Sequence, residues 1–504
     1  MSHICPDCLS ENLIRKGKFY NQTSNREKQR YVCKDCGKAF SVDLPVENTN
    51  AEVEVHTNSI NRYVFTSCQN DTSINESFFG ALLTYCEVND AKLMVLKSEY
   101  RVDPYDNARY NVPDEYLVDW NMDIGNHVKV YAALNILATA ENPIGGLDSL
   151  SKGKTLIVGH PQLQMKTLPV NETDHPIIIT TTGTISNPNY TETKQGFKAE
   201  FNHSYSAIVL ELDNKNDIFH IRVLNCDDEG GFYDVNGYYT DEDYVDAIRA
   251  DAIVVGDEHA MFADSEVVAA TYISKKSLVN TLRPKVIVRH DVIDSYSISH
   301  HDKNNFLRKY KKHVEGQDVI EDELKITLDY IERTTPKFAE NFIVASNHHN
   351  HINRWLNEVN IKEEPQNARF YHYMMYKMLC AIEQTGEIPS AFEVYVMDNV
   401  NVPVRFISSS QPEYIHGIDV SNHGDMGANG SKFSPTGGAK MPSKMVVGHS
   451  HSPKIEKGCY VVGTMTGLMD YAKGSPTSWV NTHCIIYPNG KRQLINIIRG
   501  KWKL

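Results

Sequence analysis

Four short apolar runs, rich in β-branched residues, each end in a cluster of metal-ligand side chains, and this recurrence limits the folds open to the chain. Ala252-Ile-Val-Val-Gly256 leads into Asp257-Glu258-His259, and Val286-Ile-Val-Arg289 leads into His290-Asp291-Val-Ile-Asp294. Phe342-Ile-Val-Ala345 leads into Ser346-Asn347-His348-His349, and Lys444-Met-Val-Val447 leads into Gly448-His449-Ser450-His451. Runs this short and this apolar read as buried strands. Four strands would thus each deliver oxygen or nitrogen ligands at one end. In an extended segment residues i and i+2 point the same way, so Asp257 and His259 are expected to grip one cation together. Asn422-His423-Gly424-Asp425 adds an imidazole between the third and fourth runs.

Taken in order, these residues resemble the calcineurin-like metallophosphoesterases. That pattern is Asp-x-His, Gly-Asp-x-x-Asp, Gly-Asn-His-Asp/Glu, a lone His, then Gly-His-x-His. The resemblance covers roughly residues 245 to 500 and implies a β-sandwich flanked by helices. It implies that Asp257, His259, Asp291 and His451 bind one metal, and that Asp291 bridges to a second ion held also by Asn347, His423 and His449. His348 is then not a ligand but the catalytic residue, protonating the leaving oxygen or stabilising the charged phosphoryl group. His416 is the alternative to His423 as the lone histidine. Two ions sharing a bridge would activate water and neutralise phosphate charge during in-line attack. The mixed ligand set suits manganese first, with magnesium, iron or zinc as further fits, better than calcium. The sequence departs from the pattern at His290 and Ser346, where Gly is usual, and at His349, where an acid is usual.

The N-terminal segment, residues 1–42, reads as a zinc ribbon. Cys5-Pro-Asp-Cys8 and Cys33-Lys-Asp-Cys36 are two knuckles that together complete a tetrahedral structural zinc site. A segment this short needs such a staple to fold. Residues 43–59 read as a linker, 60–235 as an α/β domain of unassigned role, and 236–504 as the phosphoesterase domain. Within 60–235, strand, helix and strand are expected at Arg62–Ser67, Phe78–Cys86 and Ala91–Leu96. Further strands are expected at Thr155–Val158, Ile177–Thr180, Ala207–Leu212 and Phe219–Val223. His160 and His175 read as ordinary surface or loop histidines. His300, His301, His351 and His483 read as surface or supporting residues, and Lys303 and Arg308 as a solvated helix face, although His300, His301 or these cations could touch a substrate phosphate.

A net charge of −13 excludes a chain that coats nucleic acid by bulk electrostatics. The average hides a basic hairpin: Arg15, Lys16, Lys18, Arg26, Lys28, Arg30, Lys34 and Lys38 face only Glu11, Glu27 and Asp35 between residues 11 and 40. Ribbon, α/β domain and phosphoesterase in that order look like the pre-early DNA-transfer proteins of virulent coliphages, as do Val64-Phe-Thr-Ser-Cys-Gln69 and Asn422–Gly430. That resemblance implies a metal-dependent DNase, DNA as partner and a homo-oligomer. The alternatives are a phosphatase or small-nucleotide phosphodiesterase, and a non-catalytic DNA- or protein-binding scaffold. No apolar run is long enough for a bilayer and no signal-peptide core opens the chain, so the expectation is a cytoplasmic protein without a membrane partner, in a host cell if phage-encoded.

Overall fold

The computed structural model describes residues 4–21, 26–43, 51–52, 60–100, 108–470 and 472–504. Residues 44–50 and 53–59 of the expected linker lie outside the described residues. The chain forms two compact units, Met1–Ala51 and Glu52–Leu504. No helix among the described residues is long and apolar enough to cross a membrane.

The first unit is a three-stranded antiparallel sheet, Leu13–Asn21, Arg26–Cys33 and Ala39–Asp43. Among its described residues the buried apolar ones are Cys5, Tyr31 and Cys33, with Phe40 stacked on Tyr31 at 5.7 Å. A unit this short cannot bury enough surface to hold a fold unaided, which places the burden on the cysteines.

In the second unit, strand alternation sets the layers. In β1 (Ala252–Val254), Ala252 and Val254 point into one apolar layer and Ile253 into another. In β2 (Val286–Arg289) and β3 (Glu340–Val344), Val288, Phe342 and Val344 repeat the first side, and Ile287 and Ile343 the second. Both faces are covered, so these strands read as continuous apolar runs, and each fully buried Ile or Val contributes about 1.5–3 kcal/mol. β1, β2 and β3 are parallel neighbours, with Thr482–Ile486 antiparallel to β1 on its other side. The first layer is shared with a second, mixed sheet that contains β4 (Lys444–Val447), through Val446, Ile455, Tyr460 and Met165. The second layer is closed by helices, among them α1 (Asn347–Glu358), which buries His349, Ile352, Trp355 and Leu356 along one face.

The parallel strand–helix–strand unit expected near residue 62 is present as Ile60–Gln69, Glu76–Asn89 and Ala91–Ser98. The later strands divide between sheets. Ser206–Asp213 and Ile218–Asn225 join Ile60–Gln69, whereas Thr155–Val158 and Ile177–Thr181 join the sheet of β4. Gln164–Leu168 pairs antiparallel with Lys454–Glu456, so residues on either side of 235 build one sheet.

Candidate metal centre

The loops that follow β1, β2 and β4, together with the His423 loop, bring Asp257, His259, Asp291, His423, His449 and His451 together, and Asn347 opens α1 one residue before His348. Asp257 and His259 are fully buried and Asp291 nearly so. His451 Nε2 lies 3.1 Å from an Asp257 oxygen and 3.2 Å from His259 Nε2. His423 Nε2 lies 2.9 Å from Asp291, and its ring centroid is 5.2 Å from that of His449. Ligand nitrogens bound to one ion at about 2.1 Å stand roughly 3.0–3.4 Å apart, which is the spacing of His259 and His451.

The local backbone serves this convergence at some cost. His259, Asp291, His449 and His451 all take left-handed conformations, with φ of 41°, 43°, 71° and 56°. Each costs a non-glycine residue about 1–2 kcal/mol and persists only where its surroundings hold it. The extended geometry expected across Asp257 and His259 thus ends at His259. Cross-loop hydrogen bonds hold the turn: His259 N–H donates to the Asp291 carbonyl at 2.7 Å, and Asp257 N–H to Gly463 at 3.0 Å. Between the two ligands, Glu258 turns the other way, into a wholly buried ion pair with Arg289 at 3.0 Å. The hydroxyls of Tyr272 and Tyr330 donate to the same Glu258 oxygen.

Both oxygens of Asp257, Oδ1 of Asp291, Oδ1 of Asn347, Nε2 of His423 and Nδ1 of His451 are buried without a hydrogen-bond partner. The short approach of His423 to Asp291 therefore lacks hydrogen-bond geometry. Buried carboxylates left without donors are costly unless a cation compensates them. Nitrogen and oxygen donors in this mixture fit first-row divalent metals, so the residues present can hold such ions.

The electrostatics follow the same pattern. Burial opposes ionisation of Asp291, but His423 and His348 hold its carboxyl well below the usual range. Burial also opposes charge on His423, yet Asp291 and Asp257 push it up to about 9.

His348 stands beside the cluster. Its Nδ1 donates to the Asp294 carbonyl at 2.6 Å, and its Nε2 lies 3.9 Å from Asp291. From His348 a row of rings continues through His351, at 5.0 Å, to His300, at 4.9 Å. His300 and His351 line a cavity of about 520 Å³ with Lys303 and Arg354. His416 is not part of the cluster; it pairs with Asp251, just before β1, while Asp257 follows that strand.

The three departures from the family pattern have distinct settings. Ser346 caps α1, its hydroxyl accepting from His349 N–H. His349 stacks on Phe392 at 4.3 Å, and burial lowers its pKa to about 3. His290 is fully buried, within ligand distance of Asp257 and His423, with its Nδ1 3.3 Å from His423 Nδ1. Sequence reasoning did not assign Asp294, whose carboxylate lies 3.0 Å from His259 Nδ1, although its place three residues after Asp291 was a usable signal. Of the two settings expected for His483, surface or support, the structure shows support: its Nδ1 accepts from Gly256 N–H at 3.0 Å, and burial lowers its pKa to about 3.

In the first unit, Cys5 Sγ lies 3.5 Å from Cys36 Sγ, and Cys8 Sγ 3.5 Å from Cys33 Sγ. These distances are too long for disulfides and near the roughly 3.8 Å edge of a zinc tetrathiolate. The cluster fits a zinc ribbon.

No family model matches the chain, and no solved structure matches it. Protein A1 of Escherichia phage T5 is 30% identical over 467 residues, covering 88% of this chain and 82% of that protein. The chain belongs to the family of this phage protein.

Proposed function

We propose that the chain is a metal-dependent phosphoesterase of the calcineurin-like type, and that its substrate is the phosphodiester backbone of DNA. The observation that carries this reading is the convergence of buried, partnerless ligand atoms of Asp257, Asp291, His423 and His451 beside an oriented imidazole, His348. In this reading Asp257, His259, Asp291 and His451 hold one divalent ion, and Asp291, Asn347, His423 and His449 hold the other. Such ions, when bound, supply charge neutralisation to the phosphate and activate water. The chain's own part is to orient. Glu258 and Arg289 anchor the first ligand loop, Asp294 steadies His259, and His348 Nε2 is available to carry a proton to the leaving oxygen. The DNA assignment draws on the basic hairpin of the first unit, whose charge runs against the acidic average of the chain.

The test is purified protein with plasmid DNA and manganese, beside Asp291→Ala and His348→Ala variants. Cleavage by the wild type alone is the expected result. Turnover of an aryl phosphate ester without DNA cleavage would replace DNA with a small substrate. Loss of both activities despite bound metal would favour a scaffold. Cys33→Ser should remove one zinc and weaken DNA binding while leaving small-ester hydrolysis intact.

A further inference from the structure

His127, His175 and Asp217 come from three segments far apart in sequence and meet outside the centre described above. His127 precedes the strand Val128–Tyr131, His175 precedes Ile177–Thr181, and Asp217 sits in the turn between Ser206–Asp213 and Ile218–Asn225. His127 Nε2 lies 2.5 Å from one Asp217 oxygen, and His175 Nε2 lies 2.9 Å from the other. One ligand atom from each residue lies within 4.8 Å of the other two. We propose that these three residues form a separate site for one divalent first-row metal ion, zinc by ligand chemistry, which ties the turn at Asp217 to the edges of the two strands.

Two imidazole nitrogens and a carboxylate form a recurrent zinc ligand set, with a fourth position left for water or another donor. The site is preorganised. The two rings lie 3.9 Å apart, and Phe219 packs against both, at 5.8 and 6.3 Å. Asp217 itself is held in the left-handed region, φ 53°. In the metal-free cluster, hydrogen bonds from the two imidazoles keep its carboxyl at about 2, so the aspartate is already an anionic donor before any metal binds.

Arg499 marks the competing arrangement. Its Nη2 lies 3.4 Å from His175 Nε2 and 3.8 Å from Asp217, while its Nη1 donates to the Asn216 carbonyl at 2.9 Å. In a cluster held by hydrogen bonds alone, His175 Nε2 must donate to Asp217 and then has no lone pair for the guanidinium. With Nε2 deprotonated, its lone pair and the carboxylate face each other, and either the Arg499 guanidinium or a metal ion must supply the positive charge beside them. Nothing in the sequence announces this site, since its members are 48 and 42 residues apart and carry no motif.

The experiment uses the full chain with zinc ion as probe. Wild type, a His127→Gln/His175→Gln double variant and Asp217→Asn are dialysed to equilibrium against zinc, and metal content is measured by mass spectrometry. Glutamine retains an N–H for Asp217, so it spares a hydrogen-bonded staple and removes the imidazole ligands. The expected result is one zinc fewer per chain in both variants, with the ribbon and the Asp291 centre still loaded. Equal zinc in all three overturns the proposal. Anomalous scattering at the zinc edge from wild-type crystals gives a reading independent of variant folding: a peak enclosed by the three side chains supports the site, and its absence leaves only the His–Asp–Arg cluster.

Discussion

The Asp294 carbonyl accepts the Nδ1 hydrogen of His348 at 2.6 Å, which fixes the nitrogen that His348 leaves free. A carbonyl can only accept, so Nδ1 carries the proton and Nε2 faces the Asp291 side at 3.9 Å. The Ser295 hydroxyl donates to the His348 carbonyl at 2.9 Å and steadies the same turn. His348→Gln should therefore lower phosphoester turnover about 10²–10⁴-fold, the range for a lost general acid. Metal content, measured on the same preparation, should be unchanged. Metal lost together with turnover would make His348 a ligand and not a proton carrier.

Arg289 is wholly buried, and its guanidinium is spent on Glu258, Asn341 and Thr334. Removing one member of such a pair strands the other charge, at a cost of about 3–5 kcal/mol. Arg289→Met should show a loss of that order in urea denaturation. The Glu258→Gln/Arg289→Met double variant should recover part of it, since no uncompensated charge remains. Equal losses in the single and double variants would mean that packing, not charge, sets the cost.

How much of this was legible in the sequence depends on range. The apolar runs ending at Asp257, Asp291, Asn347 and His449 could be read directly, because strand and ligand loop are contiguous. His423 could not be separated from His416 by spacing; the structure places His423 against Asp291 and His416 against Asp251. Arg289 reads as the end of a strand, and only three-dimensional packing reveals its pairing with Glu258 across 31 residues. Likewise, nothing local to Gln164–Leu168 announces that its partner is Lys454–Glu456, since sheet order is a property of the assembled layers. His349 looked like an altered acid position but is also a core residue, stacked on Phe392.

The protonation of His423 gives a pH signature. With its pKa raised to about 9, the charged ring belongs to the folded, metal-free chain. Its contribution to stability is complete below its ordinary value of 6.5 and is lost as the pH climbs through about 9. Asp291 has the opposite sign: its contribution is present above 3.8 and is lost as the pH falls through its depressed value. Thermal melting of metal-free protein should therefore decline between pH 6.5 and 9, and His423→Gln should flatten that decline. Metal must displace the same proton. Calorimetric titration at pH 7 in buffers of different ionisation enthalpy should show about one proton released on loading the centre, and none from this source in His423→Gln.

Gly448 tests the geometry of the centre without touching a ligand. A Cβ at this position would come 2.2 Å from Asp257 Oδ1 and 3.0 Å from the His290 ring. Neither neighbour can retreat freely, since both residues are fully buried. Gly448→Ala should therefore push the Asp257 carboxylate off its ligand position while leaving all seven expected ligands in the sequence. The backbone N–H of Gly448, which donates to the His423 carbonyl at 2.8 Å, is retained in the variant. Manganese affinity should fall at least about 10-fold, the scale for disturbed support of a metal ligand, with zinc at the four cysteines unaffected. Unchanged manganese affinity would show that Asp257 is not a ligand at the position the structure gives it.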